Sequence, residues 1–120
     1  MVTPDWSTVT RFENKIANFF GAPYAVAVDS CTHGIELVIR YKGYLRINCP
    51  IRTYLSVPML AEKLGIRRYW EYDNWIGMYR IIGDLIDAAT YWKTNGYIQG
   101  SLMCLSFQYQ KHLSLGRGGM

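Results

Sequence analysis

Cysteine is scarce in this sequence. The three present, Cys31, Cys49 and Cys104, are odd in number, widely spaced and form no CxxC pair, so neither a disulfide framework nor a zinc site is signalled. A reducing cytoplasm is the expected setting. Long apolar runs are missing too: nowhere do about 18 consecutive apolar residues occur, and Met1 to Trp6 shows no basic stretch leading into an apolar one. The chain is therefore expected to be neither exported nor membrane-spanning. Nor is charge of one sign concentrated. Thirteen Lys and Arg stand against nine Asp and Glu, a net charge of +4 without a run of five like charges, which leaves binding to nucleic acid or to a membrane surface unsupported. Neither a GxGxxG fingerprint nor a P-loop pattern occurs, which argues against a generic nucleotide-binding module. With no internal repeat, low-complexity tract or linker, residues 1–120 are expected to form one domain.

What is present points to a packed protein. Half of the residues are hydrophobic, enough for a core without disulfide staples. Four Trp, ten Tyr and four Phe argue against disorder and suggest a dense core or a large buried interface. Tyr69, Trp70, Tyr72, Trp75, Tyr79, Tyr91, Trp92 and Tyr97 crowd the middle of the chain and are not expected to fit one small core. Burial of some of them against a second copy, most simply with two-fold symmetry, is expected.

Thr10-Arg11-Phe12-Glu13 has capping-box spacing, and Phe12, Ile16, Phe19 and Phe20 recur at helical intervals until Gly21 and Pro23, which predicts an amphipathic first helix. Ala25 to Val28 is a short apolar stretch suited to a strand buried on both faces. It opens into the polar loop Asp29 to Gly34 and a second helix through Ile35, Leu37, Val38 and Ile39. Leu45 to Cys49 predicts a strand, Pro50 to Ser56 a loop, and Val57 to Leu64 a helix with Pro58 in its first turn and Gly65 beyond its end. Arg68 to Tyr72 predicts a third strand, Asp73 to Gly83 an irregular segment, and Asp84 to Ala89 and Leu102 to Phe107 two further strands. Such alternation implies an α/β fold with a mostly parallel sheet and helices on its faces. Ligands bind such sheets at the carboxyl ends of the strands, where the loops beginning at Asp29, Pro50, Asp87 and Phe107 all lie.

The most specific motif runs from Ser106 to Gly119, SFQYQKHLSLGRGG, with Lys111 five residues before the first Gly of a Gly-x-Gly-Gly turn. It resembles the lysine motif SF...K(N/H)L(T/S)xGEGG of the DegT/DnrJ/EryC1/StrS aminotransferase family. That resemblance implies a strongly reduced version of the large domain of fold type I aminotransferases, a three-layer α/β/α arrangement. It also implies pyridoxal 5'-phosphate (PLP) as cofactor and Lys111 as the Schiff-base lysine. The role needs a primary amine in a desolvated pocket, so that its pKa falls and it can attack an aldehyde. Outside the motif, Lys111 would read as an ordinary surface lysine.

The resemblance extends to three segments upstream. Ala25 to Leu37, AVAVDSCTHGIEL, is similar to the family's AVxxxSGTxAL, whose backbone and Thr hold the cofactor phosphate at a helix N-terminus. Thr32 matches that Thr, and Cys31 stands where Gly is usual; taken alone, Ser30 or Thr32 would read as a helix cap. Pro50 to Tyr54, PIRTY, resembles P-x-x-T-(F/W/Y), which makes Tyr54 the implied stacking partner of the pyridine ring, although a single Tyr among ten also reads as packing. Ile86 to Thr90, IDAAT, resembles (I/V)EDAA(Q/H), which makes Asp87 the implied partner of the pyridine nitrogen; by itself it would also serve as a helix cap. Thr90 takes the position of a Gln or His that touches the ring. Ser106 matches a Ser that bonds the phosphate. His112 lies beside Lys111 without displacing it, so transamination is implied rather than the dehydration of relatives that carry His at the lysine position. His33 reads as a loop histidine.

The implied reaction moves an amino group from an amino acid to a nucleotide-linked keto sugar, in cofactor pockets at a homodimer interface. Departures from the family temper this. Arg117 replaces a Glu, too few residues separate Tyr54 from Asp87 for the usual extra strand-helix-strand, and the small C-terminal domain is absent from these 120 residues. A non-catalytic relative kept as a binding or assembly subunit, or one half of a split enzyme completed by a second polypeptide, is the competing expectation. The residues specify neither the sugar nor the donor.

Overall fold

The computed structural model describes residues 2–120. In chain order it contains α1 (Ser7–Phe20), α2 (Cys31–Lys42), β1 (Arg46–Pro50), α3 (Ser56–Leu64), β2 (Arg67–Glu71), β3 (Tyr79–Ile82), β4 (Leu85–Asp87) and β5 (Leu102–Cys104). Among these residues no helix is long and apolar enough to cross a membrane.

Each helix ends on a glycine in the left-handed conformation, Gly21, Gly43 and Gly65, which returns orphan carbonyls of the last turn to a backbone N–H. The start of α1 departs from expectation. It begins at Ser7, three residues before the capping-box pattern, with Asp5 Oδ1 accepting the Ser7 N–H at 2.9 Å. Glu13 is not a cap residue; it reaches across to accept the Ala27 N–H at 2.8 Å.

The strands form two pieces. β1 and β2 pair in parallel, Arg46 opposite Arg67 through Pro50 opposite Glu71. β4 lies between β3 and β5, antiparallel to the first and parallel to the second. β3 packs beside β1 and joins the two pieces in space. The fold is thus mixed α/β with parallel pairing, as the alternation of elements implies. Two local expectations are corrected. The stretch 73–83, read as irregular, contains β3, which alternates buried and exposed residues and turns through Gly83-Asp84 into β4. Ala25 to Val28, read as a buried strand, is not a regular strand: only Val28 pairs, with Gly119, and Val26 is exposed.

Alternation along β4, and from the end of β5 into Leu105, sorts the core into two layers. Leu85 and Cys104 face α2 and α3, together with Ile35, Ile39, Ile47, Val57, Leu60 and Ile81. Ile86 and Leu105 face α1, together with Ile16, Phe20, Phe107 and Met120. Helices on both faces of the sheet make the three-layer α/β/α arrangement. The crowded aromatics divide as well. Tyr79 is buried and Trp75, Tyr91, Trp92 and Tyr97 are half-buried, with Trp92 stacked on Phe19 at 4.8 Å. Tyr69, Trp70 and Tyr72 remain exposed on and beside β2, whose outer edge has no partner strand among the described residues.

Candidate functional site

All four loops expected at the carboxyl edge contribute to one small cavity of about 50 Å³, lined by Cys31, Thr32, Ile35, Tyr54, Ser56, Val57, Asp87, Ala89, Ser106, Gln108 and Lys111. These residues lie up to 80 positions apart in sequence, from Cys31 to Lys111. Six of the seven sequence-derived site residues are brought together: Cys31, Thr32, Tyr54, Asp87, Ser106 and Lys111. Thr90 is not. Its hydroxyl donates to the Gly77 carbonyl at 2.8 Å on the exposed side of the turn, because β4 ends at Asp87 and the chain turns at Ala88 to Thr90.

The wall formed by α2 is built by its cap. Ser30 has extended backbone geometry and its Oγ accepts the His33 N–H at 3.1 Å. The first-turn N–H groups of Cys31 and Thr32 have no acceptor within the helix, by helix geometry alone. The Thr32 hydroxyl bonds that of Ser56 at the start of α3, 2.8 Å away, which ties the two helix starts together. His33 pairs with Asp29 on the surface at 2.6 Å, and that bond holds the Asp29 carboxyl below its ordinary value. His33 does not line the cavity.

Asp87 forms the floor. It is buried, and burial pushes its carboxyl above the ordinary value against three opposing influences: the Ala89 N–H, the Tyr79 hydroxyl and the charge of Lys111. Oδ1 accepts from Ala89 N–H at 3.0 Å, with the Cys31 thiol 4.0 Å away, and Oδ2 accepts from the Tyr79 hydroxyl at 2.9 Å. Cys31 fills the position of a family Gly with a thiol that donates to the Cys104 carbonyl at 3.4 Å. Burial pushes the thiols of Cys31 and Cys104 up, that of Cys104 to about 12, so both stay neutral beside the carboxylate.

The loop carrying Tyr54 is pinned at two points. The Trp75 indole N–H donates to the Arg52 carbonyl at 2.7 Å, and the Thr53 hydroxyl meets that of Tyr79. Tyr54 stays largely exposed at the cavity edge, and Lys111 is half-buried. Ser106 Oγ accepts the Gln108 N–H at 3.3 Å. The Gly-x-Gly-Gly turn ties the segment after β5 to the loop before α2. Gly119 exchanges two hydrogen bonds with Val28, both at 2.9 Å, and Met120 exchanges two with Leu105, at 2.7 and 3.2 Å.

Sequence reasoning passed over Ser56, Gln108, Thr53 and Tyr79. Thr53 stood inside a quoted motif; Tyr79 gave no signal, because it lies in the stretch read as irregular. A larger groove of about 370 Å³ lies between Tyr24–Val28 and β5, lined almost wholly by apolar side chains. It lacks the charged groups that an anionic ligand needs.

The cavity thus gathers hydroxyls and a helix N-terminus that could take an anion, a buried carboxylate that could take a basic nitrogen, an aromatic ring and a primary amine. The family model of the DegT/DnrJ/EryC1/StrS aminotransferase family matches residues 2–65. That match includes Cys31, Thr32 and Tyr54 and ends before Asp87, Ser106 and Lys111. No curated protein matches significantly. Among solved structures, 3-amino-5-hydroxybenzoic acid (AHBA) synthase is similar with a TM-score of 0.72 at 20% identity, over 92% of this chain and 41% of that one. An aminotransferase from Psychrobacter cryohalolentis is similar with a TM-score of 0.67 at 14% identity, over 92% of this chain and 40% of that one. At these identities the likeness is one of fold, and the chain spans about two fifths of the length of either structure.

Proposed function

Because the chain belongs to the DegT/DnrJ/EryC1/StrS aminotransferase family, we propose that its cavity binds PLP and serves amino transfer from an amino acid to a nucleotide-linked keto sugar. The observation that carries this reading is the convergence of Thr32, Tyr54, Asp87, Ser106 and Lys111 on one cavity from segments far apart in sequence. PLP, when bound, supplies an electron sink next to the nitrogen of the amino donor.

The chain's own residues then divide the work. The N-terminal turn of α2, with the hydroxyls of Thr32 and Ser106, holds the phosphate through N–H and O–H donors and the positive end of the helix dipole. Tyr54, at the cavity edge, would offer its ring as a flat platform for the cofactor. Asp87 keeps a proton on the ring nitrogen, since a carboxylate next to that nitrogen favours its charged form. Lys111 would hold the aldehyde end of the cofactor, and its Nζ would move a proton to and from the donor's α-carbon.

A second reading has a specific motive. Arg117 stands where the family motif carries a Glu, which favours a relative that keeps the cofactor fold as a binding or assembly subunit without the family's own substrate contacts. We also propose a homodimer, supported by the open β2 edge and by the exposed Tyr69, Trp70 and Tyr72 next to it. Absorbance tests both functional readings. PLP added to the purified chain should turn it yellow, and an amino-acid donor should then bleach it. Colour without bleaching selects the binding subunit, and no colour refutes both.

A further inference from the structure

Asp87 is gripped by a chain of hydroxyls that its own motif does not contain. Regular antiparallel pairing continued from Ile82 opposite Leu85 would bring Arg80 opposite Asp87. A register shift between Arg80 and Ile82 moves the ladder by one residue, so that Tyr79 stands opposite Asp87 and Arg80 opposite Ile86. Since a slip of one residue exchanges the two faces of a strand, this irregularity puts a phenol on the buried side and the guanidinium of Arg80 outside. Irregularities of this kind commonly re-aim a side chain next to a site.

The direction of the hydrogen bonds is fixed by proton count. An ionised carboxylate only accepts, so the Tyr79 hydroxyl donates to Oδ2 at 2.9 Å. A phenol has one proton, so its oxygen must accept from the Thr53 hydroxyl. The chain therefore runs Thr53 to Tyr79 to Asp87, each donor polarising the next. With Ala89 N–H on Oδ1 and Tyr79 on Oδ2, both oxygens are held and the plane of the carboxylate is set. We propose that Tyr79, backed by Thr53, is a positioning residue for Asp87, which holds the carboxylate in the orientation that presents it to the cavity. The functional half of the proposal rests on Asp87 as partner of the cofactor nitrogen; the positioning half does not.

The other groups facing Asp87 leave this role open to Tyr79. From α2 comes Cys31 and from β5 Cys104, both neutral, and from the following loop Lys111, which brings the one charge. Tyr79 is thus the hydroxyl donor, and the closest side-chain donor, to a carboxylate that burial pushes toward its neutral form, the Cys31 thiol lying 4.0 Å from the other oxygen.

The test is a pH titration of the Asp87 carboxyl by carbon NMR on the whole chain without cofactor. Tyr79→Phe, which keeps the ring against Trp75, should move the midpoint up by about one pH unit. Thr53→Val should move it the same way by less, and Thr53→Ser should leave it in place. A role in packing alone predicts no difference between Thr53→Val and Thr53→Ser. An unmoved midpoint in both Tyr79→Phe and Thr53→Val overturns the proposal; if Tyr79→Phe fails to fold, an unmoved Thr53→Val overturns it alone. PLP absorbance, measured separately, distinguishes the two failures: a shifted midpoint in a wild-type chain that stays colourless keeps the positioning role and discards the cofactor reading.

Discussion

Substitution of Gly119 by alanine should cost far more than the loss of a glycine usually does. A Cβ at this position would lie 2.5 Å from the Cys31 nitrogen, 2.6 Å from the Ser30 carbonyl carbon and 2.8 Å from the Leu105 oxygen. All three are backbone atoms, so no side chain can swing aside. The chain must shift, and with it the two hydrogen bonds to Val28 at 2.9 Å. Overpacking of a close-packed site costs roughly 1–3 kcal/mol, and two lost hydrogen bonds add about 1 kcal/mol each. About 3–5 kcal/mol is expected, a large share of the roughly 5–15 kcal/mol that holds a typical protein folded. The control is Gly65→Ala, where nothing lies within 4 Å and the cost comes from a φ of +64° alone, about 1–2 kcal/mol. Urea denaturation followed by tryptophan fluorescence measures both. A Gly119→Ala chain that loses no more stability than Gly65→Ala would refute the threading of Gly119 between the Ser30 loop and Leu105.

Borohydride reduction in the presence of PLP, followed by peptide mapping, should place the label on Lys111; a label on another lysine, or none despite bound PLP, sinks that assignment. With PLP and donor present, Asp87→Asn should slow bleaching by roughly one to two decades, since losing a charge-assisted bond costs about 1.5–3 kcal/mol. Without cofactor the sign reverses: burial raises the Asp87 carboxyl, so its ionisation opposes folding. Wild type should gain stability relative to Asp87→Asn as the pH falls toward 3.8, the unperturbed value. Glu36 bridges Arg40 and Lys63, each at 3.0 Å, and Lys63 foremost, then Arg40, lowers its carboxyl. Glu36→Gln should destabilise at neutral pH by about 1 kcal/mol, and the difference should vanish as the pH falls below the ordinary glutamate value of 4.5. Light scattering on the purified chain should report a dimer. A stable monomer at micromolar concentration refutes it, and aggregation cured by a co-expressed partner selects the split enzyme.

By itself the sequence determined the three helices to within a few residues, because helical periodicity and terminal Gly are local signals read over one or two turns, while the capping-box pattern at Thr10 misplaced the start of α1. It likewise determined which loops line the small cavity. Motifs around Thr32, Tyr54, Asp87, Ser106 and Lys111 are each a short local stretch, and spacing along the chain preserves that information. Pairing does not. Whether Ala25 to Val28 became a strand depended on a neighbour, and only Val28 found one, in Gly119. The apolar pattern alone is compatible with either outcome. β3 was hidden for the complementary reason: its four residues acquire a period only when Leu85 to Asp87 lies beside them. Tertiary structure also decided that Thr90 bonds Gly77 instead of facing the cavity, and that a one-residue register shift sets Tyr79 rather than Arg80 against Asp87. Contacts between distant segments are fixed by register and close packing, and a linear reading contains no term for either.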